Sequence, residues 1–89
     1  MDSPKVLELK AQAEILKQAI EREKASYDFY VQASKKTKKK YEKDVYDRLA
    51  QEELVHRDDL SGQLEEIEAQ VEMEAAIAEG ENKADTEEA

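Results

Sequence analysis

The chain has 89 residues, 42% of them charged and 6% aromatic, with a net charge of −9, two glycines, one proline and no cysteine or tryptophan. That length allows one domain at most, and the Ala, Glu, Lys and Leu content points to long helices. The missing cysteines exclude disulfides, zinc-thiolate sites and rubredoxin-type iron sites within the chain.

Ser3-Pro4 is a helix start, an N-cap hydroxyl followed by proline in the first turn. From there Val6, Leu9, Ala13, Leu16, Ile20, Glu23, Tyr27, Tyr30 and Ser34 recur in alternating steps of three and four, one face of a helix expected over about 4–35. A second series, Tyr46, Leu49, Glu53, His56, Leu60, Leu64, Ile67 and Val71, marks a helix over about 41–78, with Met73 and Ile77 as its last apolar contacts. No glycine or proline separates the two series. Continuing the first frame would place Thr37, Tyr41, Asp44 and Arg48 on the apolar face, so the phase shift itself requires a turn, expected at about 36–40 within "KKTKKK". Lysine repulsion there disfavours regular structure, and the cluster reads as a solvated loop.

Residues 65–89 hold ten acids against Lys83 and so carry the whole net charge, while residues 1–64 balance. Residues 80–89 read as an acidic, disordered tail after a hairpin over 1–79, with cation collection as the competing reading. An acidic chain lacks the basic footprint that nucleic acid needs. No apolar stretch approaches bilayer length, and "MDSPKVLELK" has no basic start followed by an apolar run, so a cytoplasmic chain with no membrane partner is expected.

The expected fold is all-α, an antiparallel two-helix hairpin. Counting evenly from the turn places Leu9 opposite Ile67, Leu16 opposite Leu60, Glu23 opposite Glu53 and Tyr30 opposite Tyr46, with Ile20 facing His56. Apolar residues meet apolar ones, and Glu23, Glu53 and His56 fall on one level, roughly 22 Å from the turn. A lone histidine on such a face is ordinarily a hydrogen-bonded core residue. Two glutamates at its level, with no lysine or arginine on either face nearby, point instead to a metal ion. Three ligands from one hairpin are too few for a closed octahedral site, whereas two hairpins about a two-fold axis bring four carboxylates and two imidazoles, enough to neutralise two divalent cations. The alternative is a scaffold in which Glu53 and His56 form a buried polar network that sets register.

A glutamate on one helix with Glu-x-x-His on the next is the ligand set of each half of the ferritin-like carboxylate bundles. "AIEREKASYDFYVQA" (19–33) resembles the first helix of rubrerythrin-type domains, with Glu23 seven residues before the tyrosine of Phe29-Tyr30, and "YDRLAQEELVHRDDL" (46–60) resembles their second. The resemblance spans about residues 15–67 and is nearest to the half-length, encapsulated-ferritin type, whose hairpins dimerise into a ferritin-like four-helix bundle. It implies a ferroxidase serving iron storage and detoxification. Its dinuclear iron centre, one ion per chain, would be shared across a homodimer interface and held by Glu23, Glu53 and His56. It also implies rings of dimers housed in an encapsulin-type nanocompartment shell. Tyr27, Tyr30 and Tyr46 would be hydrogen-bond donors or one-electron relays near the iron, Tyr30 foremost. The chain departs from that type at Arg22 and Ala25, where further carboxylates are expected, and "ENKADTEEA" does not resemble an encapsulation peptide. A rubrerythrin-like peroxidase is the catalytic alternative; without cysteine it would need an external electron donor.

Overall fold

The computed structural model describes the backbone of residues 2–88 and the side chains of residues 2–80. It contains two helices, α1 (Pro4–Lys36) and α2 (Lys40–Glu88), and no strand among the described residues. They fold back on each other as a hairpin 75 × 16 × 13 Å in extent. None of the described helices is long and apolar enough to cross a membrane.

The ends of the helices follow from their caps. Ser3 is extended (φ −66°, ψ 160°) and its Oγ accepts the Val6 N–H at 3.2 Å, with Pro4 opening α1. Lys35 and Lys36 lie in the last turn, where cations favour the negative end of the helix dipole. Thr37 leaves the helix in an extended conformation, its N–H still bonded to the Ala33 carbonyl at 3.1 Å. The Thr37 hydroxyl then accepts the Lys39 N–H at 3.3 Å and donates to Glu42 Oε2 at 2.6 Å. Glu42 thus supplies the negative charge that α2 lacks at its lysine-rich start.

The turn occupies Thr37–Lys39, inside the expected stretch. The far end of α2 differs. The helix expected to stop near 78 continues to Glu88. Ala75, Ala76 and Ala78 are strong helix formers, no proline follows, and a single glycine, Gly80, costs a helix only about 1 kcal/mol. The side chains of the expected tail beyond residue 80 lie outside the described residues.

Packing is tightest at the open end, where Val6, Leu9 and Ala13 are buried, and nearer the turn at Ser34 and Ala50. The rest of both apolar series is half-buried apart from His56, which is exposed, and Met73 and Ile77, expected as the last apolar contacts of α2, are exposed as well. Arg57 takes the half-buried position in its place, so α2 runs Glu53, Arg57, Leu60, Leu64 along the contact line. Leu16 lines a surface hollow with Gln12, Ile15, Gln63, Glu66 and Ile67.

Near the turn a polar clasp joins the helices. The Ser34 hydroxyl donates a short hydrogen bond to Asp47 Oδ1, while Lys43 Nζ reaches Asp47 Oδ2 at 2.9 Å and Ser34 Oγ at 3.2 Å. These bonds hold the Asp47 carboxyl below its ordinary value of 3.8, the serine contributing most and the lysine next. A depressed carboxylate stabilises the fold above its ordinary pKa, and that contribution disappears as the pH falls through the folded-state value. Asp47→Asn should therefore lower the melting temperature at neutral pH, and the difference from wild type should begin to shrink below about pH 4 and close as the pH falls through the lowered folded-state value. An equal difference at pH 7 and pH 3 would show that the carboxylate charge is not involved.

Gly62 sits inside α2 with negative φ and open space where a Cβ would project. Gly62→Ala should stabilise the hairpin by about 1 kcal/mol through the unfolded chain's lost freedom, read from urea unfolding.

Candidate metal centre

Glu23 lies five turns into α1, and its side chain points along the contact line because it continues the three-and-four spacing of Leu9, Leu16 and Ile20. Glu53 and His56 are three apart on α2, so they project from neighbouring positions on one side of that helix. The hairpin brings the three together. One ligand atom from each lies within 4.8 Å of the others. His56 Nδ1 is 3.7 Å from Glu23 Oε2 and 3.9 Å from Glu53 Oε2.

Burial grades across the group. The Glu53 and Glu23 side chains are 18% and 24% exposed, that of His56 58%. The trio is therefore a half-enclosed cluster that opens to the surface through its imidazole, and not a site sealed within a dry interior. Glu23 Oε2 is the telling atom, because it is buried and no hydrogen bond reaches it. An unpaired carboxylate oxygen removed from water carries a desolvation penalty of about 1–3 kcal/mol or more. At 3.7 Å the imidazole is too far to relieve it by hydrogen bonding. Arg57 is half-buried beside the group but pairs at 4.0 Å with Asp58.

A cation between these atoms resolves the difficulty. Metal–ligand bonds of about 2.1 Å place two ligands of one ion roughly 3.0 Å apart when adjacent and roughly 4.2 Å apart when opposite. The observed imidazole–carboxylate separations fall inside that interval. Carboxylate and imidazole donors suit Fe(II), Mn(II) and Zn(II) alike, so the donor set fits a first-row divalent ion without choosing among them.

Tyr30 is on the same face of α1 as Glu23. It stands two turns nearer the tip, about 10 Å along the axis, half-buried and edge-on to Phe29 with ring centroids 5.4 Å apart. Its hydroxyl makes no hydrogen bond among the described residues, and Tyr27 and Tyr46 are likewise half-buried. The side of the hairpin carrying the trio continues into the hollow of about 350 Å³ lined by Gln12, Ile15, Leu16, Gln63, Glu66 and Ile67. Leu16 is seven residues from Glu23 and Gln63 seven from His56, so group and hollow share one flank, two turns apart.

No family model, curated protein or solved structure matches the chain.

The burial pattern separates the three residues in metal-free protein. Removing the stranded charge with Glu23→Met should raise stability in the presence of chelator by about 1 kcal/mol, because an apolar side chain of similar length has no desolvation penalty. His56→Ala, at an exposed position, should change it by less than about 0.5 kcal/mol. Urea unfolding of the two variants tests both. A destabilised Glu23→Met would mean that the carboxylate already has a partner.

Proposed function

We propose that this chain is a ferritin-like half-bundle whose hairpins pair about a two-fold axis into a four-helix bundle, creating a dinuclear iron site that oxidises Fe(II) to Fe(III) for iron storage and detoxification. The observation that carries the reading is the convergence of Glu23, Glu53 and His56 around a buried carboxylate oxygen with no partner. The sequence resemblance supplies the choice of iron and of chemistry. The location in keeping with it is the cytoplasm, within larger rings of dimers and an encapsulin-type shell.

Pairing answers what one hairpin leaves open. A lone hairpin offers three ligands and an exposed imidazole, leaving one side of any bound ion to water. A second copy set against that side doubles the ligands to four carboxylates and two imidazoles, which neutralise two divalent ions and cover both histidines. Fe(II) is the substrate: two ions give one electron each to dioxygen, which with two protons yields hydrogen peroxide. The protein's part would be to hold the ions close through Glu23, Glu53 and His56 while leaving positions open for the oxidant. Tyr30 would lie within electron-transfer reach on the tip side.

A helical dimerisation scaffold draws on the same exposed apolar positions, Ile15 and Phe29 among them. The two readings part on metal. Anaerobic titration of metal-free protein with Fe(II) should saturate at one tight equivalent per chain, and melting should rise on loading and fall back with chelator. Glu23→Ala, Glu53→Ala and His56→Ala should each abolish aerobic oxidation above the uncatalysed rate. Saturation at half an equivalent would mean one axial ion and end the paired-iron reading; melting indifferent to metal would favour the scaffold.

A further inference from the structure

The two flanks of α1 differ in kind. One carries Lys10, Glu14, Lys17, Glu21, Lys24 and Asp28 in steps of three and four, alternating in sign. Five of these six charges are paired within the chain, with Lys17 3.3 Å from Glu14, Lys24 3.4 Å from Glu21 and Lys10 2.6 Å from Asp2. That flank is built for water. The other runs Ile15, Ala19, Arg22, Ser26 and Phe29, uncharged except at its centre. Ile15 and Phe29 are 66% and 67% exposed, the two most exposed aliphatic and aromatic side chains of α1. This second flank is on the side of the hollow, since Ile15 lines it.

The uncharged flank is also symmetric about its middle. Ile15 and Phe29 each lie seven residues from Arg22, and Ala19 and Ser26 are centred half a residue beyond it. An isologous contact requires that if residue i of one copy meets residue j of the other, then j also meets i. Two antiparallel α1 helices crossing at the level of Arg22 satisfy this, with the small residues Ala19 and Ser26 allowing close approach between the larger pairs. That centre is one residue, about 1.5 Å of rise, from Glu23. The axis that makes the flank self-complementary therefore passes through the level of the metal cluster.

We infer that the uncharged flank of α1 is a self-complementary docking surface for a second copy of this chain, in which the Phe29–Tyr30 edge-to-face pair of each copy seats against Ile15 and the adjoining hollow of the other. The inference rests on the shared-site reading for the position of the axis, and adds the contact that fixes register. The hollow has apolar walls at Ile15, Leu16 and Ile67 and space of about 350 Å³, ample for an aromatic ring. The two Arg22 side chains meet at the crossing; each is exposed, so its stem can cover apolar surface while its guanidinium turns into water, where the like charges are screened.

Opposite charges placed at the two contact points test this without reference to oxidation. Ile15→Glu and Phe29→Lys change exposed side chains, so each variant should keep its helical circular dichroism. Each alone should weaken self-association by about tenfold or more, read by sedimentation or native mass spectrometry in chelator and again with Fe(II), because two interface positions are altered per dimer. An equimolar mixture should recover a heterodimer, in which the two introduced charges meet at one contact and the native Ile15–Phe29 pairing remains at the other. That recovery should fade at high salt. Leu7→Glu, 56% exposed and at the head of the charged flank, should leave association unchanged. Single variants that dimerise like wild type, or a mixture that fails to recover, overturn the inference. If wild type nonetheless binds one iron per chain as a dimer, the shared site stands and only the docking surface falls. A wild-type chain that stays monomeric with bound iron overturns both.

Discussion

Two helices touch along a single line, so a rod 16 Å by 13 Å in cross-section cannot enclose a side chain on all sides unless that side chain is small or lies near a packed end. Among the described residues full burial is confined to Val6, Leu9, Ala13, Ser34 and Ala50, and most large residues of both apolar series remain half-covered. Hydrophobic stabilisation scales with area removed from water, at about 25 cal/mol per Å², and half-covered leucines and isoleucines contribute correspondingly less. A single hairpin therefore leaves much of its apolar surface wet. The same geometry governs the ionisable trio: one side of each carboxylate is desolvated by the neighbouring helix, while the imidazole stays at the surface.

That incompleteness has a direction. The alternating charges of one α1 flank pair along their own helix and gain little from a partner. The opposite flank shows uncharged side chains, a hollow and the open side of the Glu23–Glu53–His56 group. Exposed ion pairs are worth only a few tenths of a kcal/mol each, so their value lies in keeping that flank hydrated and in discouraging association there. A hollow of similar size also borders the charged flank, lined by Lys10, Glu14, Lys17, Glu68 and Glu72, but exposed Ile15 and Phe29 and the unsatisfied ligands share the other side. Their coincidence argues for one covering event rather than several unrelated ones.

Much of this was legible in the residues because two rules are strict. A helix repeats every 3.6 residues, so a change of phase between the series ending at Ser34 and beginning at Tyr46 requires a turn. Ionisable groups on a core face need a reason, so Glu23, Glu53 and His56 stand out from the sequence alone. The differences arise where the rules are degenerate. Steps of three and four fit Glu53–His56–Leu60 and Glu53–Arg57–Leu60 equally well, and packing chose Arg57 for the contact line and His56 for the rim. The Ser34–Asp47–Lys43 clasp pairs residues thirteen apart through a turn whose shape no periodicity encodes. The end of α2 was placed by loss of apolar residues, yet alanine and glutamate continue a helix without them.

The exposed histidine then takes on a role that a buried one could not have. In a sealed hairpin, all three ligands would be in place before any partner arrived, and metal binding and pairing would be independent. In the proposed dimer, with His56 at the rim and Glu23 stranded behind it, the ion and the second copy would each improve the site for the other. The ion would relieve the carboxylates that otherwise repel across the axis, and the partner would supply ligands and exclude water from the open side. Linkage makes that improvement reciprocal: whatever factor the ion adds to the pairing constant, pairing adds to the ion's affinity. If the hairpin is half a bundle with half a site, as proposed, one rim imidazole and one unpaired carboxylate oxygen would couple its assembly to metal supply.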